Sequence, residues 1–300
     1  MRFKILVLFL AMLILGGTFA AAYWWYQNVN APEDAVVEHI KEKSHQVKQG
    51  SGPDPGLTLF AKAMELVREG QLEAAREHLT RLTKVYRDSA RFSDARRILG
   101  EMNVDRLFSR NPMPGKYDYT VKAGDTFDKL EKGSLTTFPF LLRLNNLTGT
   151  TLHPGERIVY QPLEFQIEVD VPANRLTLSQ KNPVSKQFEY FKDYRITSVN
   201  LPPGTGKTME SKIAKKDAFI NDRPIRPTDP LYQFSKKWLQ TTSKGGRLGL
   251  LFRGQSEHDA GLSAQKPGEE DITFGVFLDD GDIEELNTIV RIGTPVTFRR

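Results

Sequence analysis

A hydroxyl, an imidazole and two carboxylates stand side by side in the C-terminal third of the chain, at Ser256, Glu257, His258 and Asp259. Ser, His and Asp catalyse acyl transfer when the imidazole activates the hydroxyl and the carboxylate orients the imidazole. Neighbouring residues of an extended loop point in different directions, whereas a triad requires convergent side chains. We therefore expect a solvated loop over residues 256–271, with catalysis by this cluster as the alternative.

The counts of cysteine and histidine limit the chemistry further. The chain has no cysteine, which excludes disulfides, thiolate–zinc sites and a thiol nucleophile. Its five histidines are dispersed without the paired spacing of a metal site. The GTGKT motif at 204–208 lacks the first glycine of a phosphate-binding loop, because Leu201 stands there, and is interpreted as a turn. We expect neither a metal nor another cofactor.

The length and charge of the chain indicate several modules. Three hundred residues, 39% of them hydrophobic, are enough for two modest domains with additional segments. The formal charge of +5 comes from scattered Lys and Arg rather than from a dense basic tract. A nucleic-acid partner is therefore not expected.

The N-terminal residues 1–30 have the pattern of a membrane-spanning helix. Arg2 and Lys4 precede an apolar run from Ile5 to Ala22, and aromatic residues follow at 23–26. Such a run can span a bilayer, with the early positive charges on the cytoplasmic side and the aromatic residues at the far interface. We expect an uncleaved, single-pass anchor in the cell membrane, with the C-terminal region in the periplasm or extracytoplasmic space. Signal-peptidase cleavage after the small residues Ala20–Ala22 is the alternative.

Two segments of different character follow. Residues 31–56 are polar and end in a Gly- and Pro-rich stretch, which predicts a linker. Residues 57–108 show helical periodicity with a break at Gly70 and resemble about one tetratricopeptide-type (TPR-like) repeat. A short helical spacer is expected here, and a docking platform for an envelope protein is the alternative. Residues 109–115 form a second linker.

Residues 116–162 show the pattern strand, helix, helix, strand. Tyr117, Tyr119 and Val121 alternate before a turn at Gly124, two helical periods follow, and a second alternating run covers 157–160. The opening YTVK-x-GDT, the middle LLRLNNL and the closing HPGERI resemble the LysM carbohydrate-binding domain, in the same order.

The LysM resemblance implies a glycan-binding groove between the loop after the first strand and the loop before the last. The residues at those positions are Gly124, Asp125, Thr126, Phe127, Asn146, Leu147, Thr148, Gly149, Thr150 and Thr151. Small and hydroxyl residues allow backbone amides to approach N-acetyl groups, while apolar edges cover the sugar faces. The implied partner is peptidoglycan, through its N-acetylglucosamine-containing glycan. Alternatively, these residues only form turns and helix caps.

Residues 164–300 are rich in short alternating strands separated by turn signals, which predicts a β-sandwich or barrel. The segments IEVDVPANRLTLSQ, GTGKTMESKI and GVFLDDGDIEELNTIVRIGTPVTF resemble the catalytic domain of YkuD-type L,D-transpeptidases. Asp282 and Glu285 predict a capping box for a short helix, and Gly293–Pro295 predicts a turn into the last strand.

The chain departs from this second family at its catalytic motifs. The family has a histidine in His-Gly-Thr, and a cysteine and an arginine in Ser-x-Gly-Cys-x-Arg. Aligned from Asp282, these three positions fall near Phe252, on Gly275 and on Phe277. A thiolate reaction requires a cysteine that a neighbouring base can deprotonate. We expect a degenerate domain without catalytic residues.

The sequence thus predicts a multidomain α+β protein. It has a transmembrane helix, a short TPR-like helical segment, a βααβ LysM module and a β-rich transpeptidase-like domain at 164–300. The expected function is membrane-anchored, non-catalytic peptidoglycan binding, with the last domain as a scaffold or binding module. One alternative is an active L,D-transpeptidase or carboxypeptidase with a relocated nucleophile. Another is an envelope assembly factor whose helical segment docks a partner.

Overall fold

The computed structural model describes residues 54–202, 206–221, 223–242, 249–254 and 274–300. The predicted anchor at 1–30, nearly all of the predicted linker at 31–56 and the cluster at 256–259 lie outside these residues. Among the described helices, none is both long and apolar enough to cross a membrane.

The helical segment contains three helices: α1 (Pro55–Arg68), α2 (Leu72–Val85) and α3 (Phe92–Phe108). The predicted break is confirmed, because Gly70 lies between α1 and α2 with a φ of 75°. Helix α1 begins before the predicted end of the linker. Asp54 caps it by accepting hydrogen bonds from the Gly56 backbone N–H at 2.8 Å and from Ser89 Oγ at 2.8 Å. Pro55 suits the first position of the helix, because the backbone N–H there has no hydrogen-bond partner within the helix.

The contacts divide the chain into two compact units, with the boundary between Arg96 and Arg97 inside α3. In the first unit α1 packs against α2. Their buried side chains are Ala63, Leu66, Ala75, Leu79, Leu82 and Val85. Alanine on both helices permits close approach of their backbones, so this small pair has a narrow aliphatic core.

The second unit begins with the rest of α3 and a β-α-α-β module. Its elements are β1 (Tyr117–Thr120), α4 (Phe127–Gly133), α5 (Phe138–Asn145) and β2 (Arg157–Tyr160). The predicted order of strand, helix, helix, strand is confirmed, and β1 pairs with β2 in antiparallel fashion. The module has its own small core of Val121, Phe127, Phe138, Leu141 and Ile158.

Asn145 joins the end of α5 to β2. Its buried amide donates to the Val159 carbonyl at 2.8 Å and accepts from the Val159 N–H at 2.8 Å, and it also donates to the Leu141 carbonyl at 2.9 Å. A two-stranded sheet leaves the outer edge of each strand without a neighbouring strand. The side chain therefore supplies to Val159 the pair of hydrogen bonds that a third strand would supply.

The remaining strands form one large sheet. They are β3 (Phe165–Asp170), β4 (Arg175–Lys181), β5 (Phe188–Asn200), β6 (Thr208–Ile220), β7 (Arg223–Pro224), β8 (Lys236–Thr241), β9 (Leu251–Gly254), β10 (Gly275–Leu278) and β11 (Pro295–Arg299). Their order among the described residues is β11-β3-β4-β5-β10-β9-β8-β6-β7, and β11 also pairs with β6. The sheet therefore closes on itself through eight strands, and β7 extends beyond β6. Pairs β9–β10 and β3–β11 are parallel, whereas the others are antiparallel.

Helix α6 (Asp280–Ile289) packs against the closed sheet through Ile283, Leu286 and Ile289. The predicted capping box is wrong. The N-cap residue is Asp279, Asp282 lies inside the helix, and the Glu285 carboxylate accepts from Tyr194 and Lys192 instead. Because the N-cap lies three residues before the predicted one, Glu285 lies in the second turn of the helix and cannot reach the free N–H groups of the first turn. The predicted turn at Gly293 is confirmed, with a φ of 93° before β11.

Helix α5 belongs to two cores. Phe138 and Leu141 lie in the small core of the β-α-α-β module. Phe140 and Leu144, on another face of the helix, are buried in the large core that also contains the interior of the closed sheet and α6. Since α5 contacts α6, the module and the sheet form one continuous packed structure within the second unit.

A buried ionic cluster holds α3 and α6 to β5. Lys192 Nζ donates to Glu101 at 3.1 Å and to Glu285 at 3.2 Å, and the Tyr194 hydroxyl donates to Glu285 at 2.6 Å. Desolvation lowers the pKa of Lys192, but Glu285 and Glu101 outweigh it and the net shift is upward. Lys192 is therefore charged at neutral pH, and the more buried Glu285 is its principal counter-charge.

We expect Asn145→Ala to lower the free energy of unfolding by about 2–4 kcal/mol, because the buried N–H and carbonyl of Val159 lose their partners. Urea denaturation followed by circular dichroism measures the change. The control is Asn146→Gly at the adjacent exposed position, whose φ of 52° glycine adopts without strain. Equal destabilisation by the two variants would contradict the role assigned to Asn145.

We expect Lys192→Met to lower the free energy of unfolding by about 3 kcal/mol, because Glu285 then keeps a buried charge without its cation. The matched control is Glu101→Gln. The Glu101 side chain is 58% exposed, against 17% for Glu285, so its loss costs less than about 1 kcal/mol. Guanidinium denaturation of both variants measures the difference, and a larger effect at Glu101 would refute this ranking.

Candidate functional site

The loop between β1 and α4 is a tight turn built by its own side chains. Gly124 has a φ of 83°, a conformation that glycine adopts without cost. The Asp125 carboxylate accepts from the Tyr119 hydroxyl at 2.7 Å and from the Lys122 N–H at 2.8 Å, and these bonds lower its pKa. Thr126 caps α4 by accepting from the Lys129 N–H at 3.3 Å. Asp125 and Thr126 therefore fix the loop in one conformation.

The loop between α5 and β2 begins with a left-handed cap at Asn146, whose φ is 52°. The Leu147 N–H donates to the Leu142 carbonyl at 2.9 Å, and the Leu147 side chain packs against the small core. Four exposed small or hydroxyl residues follow at 148–151. This loop therefore has a fixed apolar start and a polar exposed second half.

The two loops line a groove of about 560 Å³. Its lining residues are Asp125, Thr126, Phe127, Asp128, Glu131, Phe138, Thr150, Thr151, Leu152, Arg226, Pro227 and Thr228. The Phe127 and Phe138 rings meet edge to face, with centroids 4.8 Å apart, so the groove has an aromatic base. Threonine hydroxyls and carboxylates surround it. Apolar surface beside a few directional polar groups is the usual composition of a small-molecule site.

Half of the residues predicted to bind glycan lie at this groove. The structure brings together Asp125, Thr126, Phe127, Thr150 and Thr151. The other five lie in the same two loops but do not line it: Gly124, Asn146, Leu147, Thr148 and Gly149. Gly124, Asn146 and Leu147 act as turn, cap and packing residues, which agrees with the alternative interpretation for those positions.

The wall of the groove formed by residues 226–228 was not predicted from the sequence. This segment follows β7, in which Pro224 pairs with Phe219 of β6. The Ile225 N–H donates to the Ala218 carbonyl at 2.8 Å, and the Asp229 N–H donates to the Arg226 carbonyl at 3.0 Å. The proline-rich composition of 224–230 was the available signal, since proline restricts its own φ and the residue before it. Nothing local in the sequence shows that this rigid segment faces the β-α-α-β module.

Glu131, which lines the groove, interacts electrostatically with Lys216. Burial raises the pKa of Glu131, and the positive charge of Lys216 partly opposes that shift. Burial lowers the pKa of Lys216 to about 8, and its Nζ donates to the Val290 carbonyl at 2.9 Å. The positive charge of Lys216 therefore acts on Glu131 of the groove lining.

The three positions aligned with catalytic residues do not share one face of the sheet. Phe252 is 1% exposed and stacks on Phe298 inside the closed sheet, with ring centroids 5.8 Å apart. It pairs with Val276, so strand alternation places Gly275 and Phe277 on the opposite face. There, the Arg253 guanidinium lies 5.2 Å from the centre of the Phe277 ring.

Gly275 has no room for a side chain. A Cβ atom built there would lie 2.3 Å from the Leu251 carbonyl oxygen, which belongs to the paired strand β9. Such a distance is far below van der Waals contact, so any other residue requires a shift of the backbone. Over the residues that the structure describes, no group of three or more His, Cys, Asp or Glu side chains is placed to hold a metal ion.

Comparison with solved structures gives only weak similarities. A fused zinc-dependent amidase/peptidase/peptidoglycan-binding domain-containing protein from Clostridium acetobutylicum is 13% identical, over 45% of this chain and 51% of that one, with a TM-score of 0.29. A cysteine-to-serine mutant of an Enterococcus faecium L,D-transpeptidase is 15% identical, over 45% and 49%, with a TM-score of 0.27. An L,D-transpeptidase from Mycobacterium smegmatis is 14% identical, over 49% and 64%, with a TM-score of 0.28.

The chain thus spans less than two thirds of each of these proteins. TM-scores below 0.3 do not assign a shared fold, so the transpeptidase resemblance of residues 164–300 rests on the sequence motifs. No curated protein matches the chain significantly.

A family model gives a specific result for the module that carries the groove. The model of the LysM domain matches residues 119–160, which cover almost all of the segment from β1 to β2. The element order of the segment, its two loops and its small core agree with the motifs YTVK-x-GDT and HPGERI. Residues 119–160 of this chain are therefore a LysM domain.

Proposed function

We propose that this protein binds peptidoglycan through its LysM domain. The observation that carries the proposal is the groove, because its walls include the two loops of the domain that the motifs assign to glycan. Thr150 and Thr151 offer hydroxyl groups, and the partly exposed Leu152 offers apolar surface above the buried rings of Phe127 and Phe138. The volume of the groove lies within the range of ordinary ligand sites.

The proposal places the protein at the outer face of the cell membrane. Peptidoglycan is an extracytoplasmic polymer, and residues 1–30 have the composition of a membrane anchor followed by a polar linker. In this arrangement the anchor holds one end of the protein in the bilayer while the LysM domain holds the wall. The helical segment at 57–108 serves as a spacer between the two.

The proposal also assigns a non-catalytic, scaffolding role to the closed sheet. A chain without cysteine cannot perform the thiolate reaction of the YkuD-type enzymes. The position aligned with their cysteine, Gly275, lies against the Leu251 carbonyl, and the position aligned with their histidine, Phe252, lies in the core. Three separate changes would be required to rebuild the site.

We expect Thr151→Trp to weaken binding of the full-length protein to chitotetraose by about tenfold, because the indole fills the groove. Isothermal titration calorimetry in detergent solution measures the affinity, and sedimentation with purified peptidoglycan sacculi gives the parallel readout. The control is Lys132→Trp, an exposed position on α4 outside the groove. If the wild-type protein binds neither chitotetraose nor sacculi, the proposed function is wrong.

We expect incubation of the full-length protein with sacculi to leave the muropeptide profile unchanged. Mass spectrometry after muramidase digestion would detect new cross-links or trimmed stems, and either product would disprove the non-catalytic role. Gly275→Cys is expected to stay inactive and to lose several kcal/mol of stability, because its Cβ overlaps the Leu251 carbonyl. Phe277→Leu is the control for substitution within the same strand.

A further inference from the structure

The groove has two charged side chains that pair with no group in the part of the chain that the structure describes. Asp128 extends from α4 of the LysM domain, and Arg226 extends from the segment after β7. Among the described residues neither of them forms an ion pair or a side-chain hydrogen bond, and they do not pair with each other. Because the two charges are opposite and lie at two walls of one groove, a ligand with one cationic and one anionic group would pair with both side chains.

We infer that the groove selects glycan bearing a zwitterionic peptide substituent, in which Arg226 binds a carboxylate and Asp128 binds an ammonium group. This inference rests on the proposed function and specifies its ligand. It assigns Arg226, a residue outside the LysM domain, as a determinant of specificity.

The other acidic residues of the groove are already engaged. The Asp125 carboxylate accepts two hydrogen bonds within its own loop. Glu131 is partly buried, and both the positive charge of Lys216 and a backbone hydrogen bond from Phe138 already act on its carboxylate. Asp128 is exposed, and among the described residues its carboxylate has neither a hydrogen-bond donor nor a cation as a partner. It is therefore the carboxylate of the groove that is available to a ligand cation.

Arg226 is presented by a backbone with little freedom. It stands between Pro224 and Pro227, and the residue before a proline is confined to extended conformations. The hydrogen bonds of Ile225 to Ala218 and of Asp229 to the Arg226 carbonyl fix the segment on both sides. A ligand consequently does not have to order this backbone, which reduces the entropic cost of binding.

The two charges distinguish glycans by the charged groups that their substituents carry. A neutral chitin-type oligomer occupies the groove and leaves both Asp128 and Arg226 without a partner. A polyanion would satisfy Arg226 but would lie against Asp128, and like charges at short distance cost binding energy. A peptide stem with a free carboxylate and a free amine satisfies both, and a guanidinium binds a carboxylate in bidentate geometry.

The experiment compares two probes on the full-length protein in detergent. One is chitotetraose, and the other is a peptidoglycan-derived tetrasaccharide whose peptide stems carry a free carboxylate and a free amine. Arg226→Gln and Asp128→Asn are each expected to weaken binding of the stem-bearing probe by about tenfold, as for loss of a hydrogen bond to a charged group. Their affinity for chitotetraose is expected to change by less than about twofold.

The control variant is Arg223→Gln, an exposed arginine of β7 that does not line the groove, and it is expected to change neither affinity. Arg226→Lys keeps the positive charge but loses the planar guanidinium group, and it is expected to retain part of the preference for the stem-bearing probe. Equal weakening of both probes by Arg226→Gln would overturn the inference, as would unchanged binding of both. A wild-type protein that binds neither probe refutes the proposed function itself, whereas one that binds both equally refutes the selectivity alone.

Discussion

The packing of helix α5 is the constraint on which the second unit depends. One face of this helix completes the small core of the LysM domain through Phe138 and Leu141, and another face enters the large core through Phe140 and Leu144. A short helix buried on both sides cannot be displaced without opening two cores. The LysM domain and the closed sheet are therefore packed together as one structure within the second unit.

Local chemistry explains what the sequence predicted correctly. Alternation in the segments that became β3 and β4 identified strands because one face of each is buried and the other is partly exposed. Gly124 and Asn146 identified turns because their positive φ values favour those residue types. The LysM domain was therefore predicted almost to its ends, including five of the residues that line the groove.

Long-range contacts explain what the sequence did not predict. Arg226 and Glu131 are distant in the chain and meet at the groove only because the closed sheet packs against the LysM domain. The capping-box prediction failed because the N-cap is Asp279, so Glu285 lies in the second turn and pairs with Lys192 of β5 instead. The aligned catalytic positions Phe252 and Phe277 likewise separate onto two faces, because each follows the alternation of its own strand.

The large core shared by the LysM domain and the closed sheet has a mechanical consequence. A domain on a flexible linker would rotate freely when its ligand is pulled, and the linker would extend before any load reached the remainder of the protein. Here a force applied at the groove passes through α5 and α6 directly into a sheet whose strands are hydrogen-bonded around a closed circuit. Under the proposed function, a polymer bound at the groove transmits its load to the closed sheet without an intervening flexible joint.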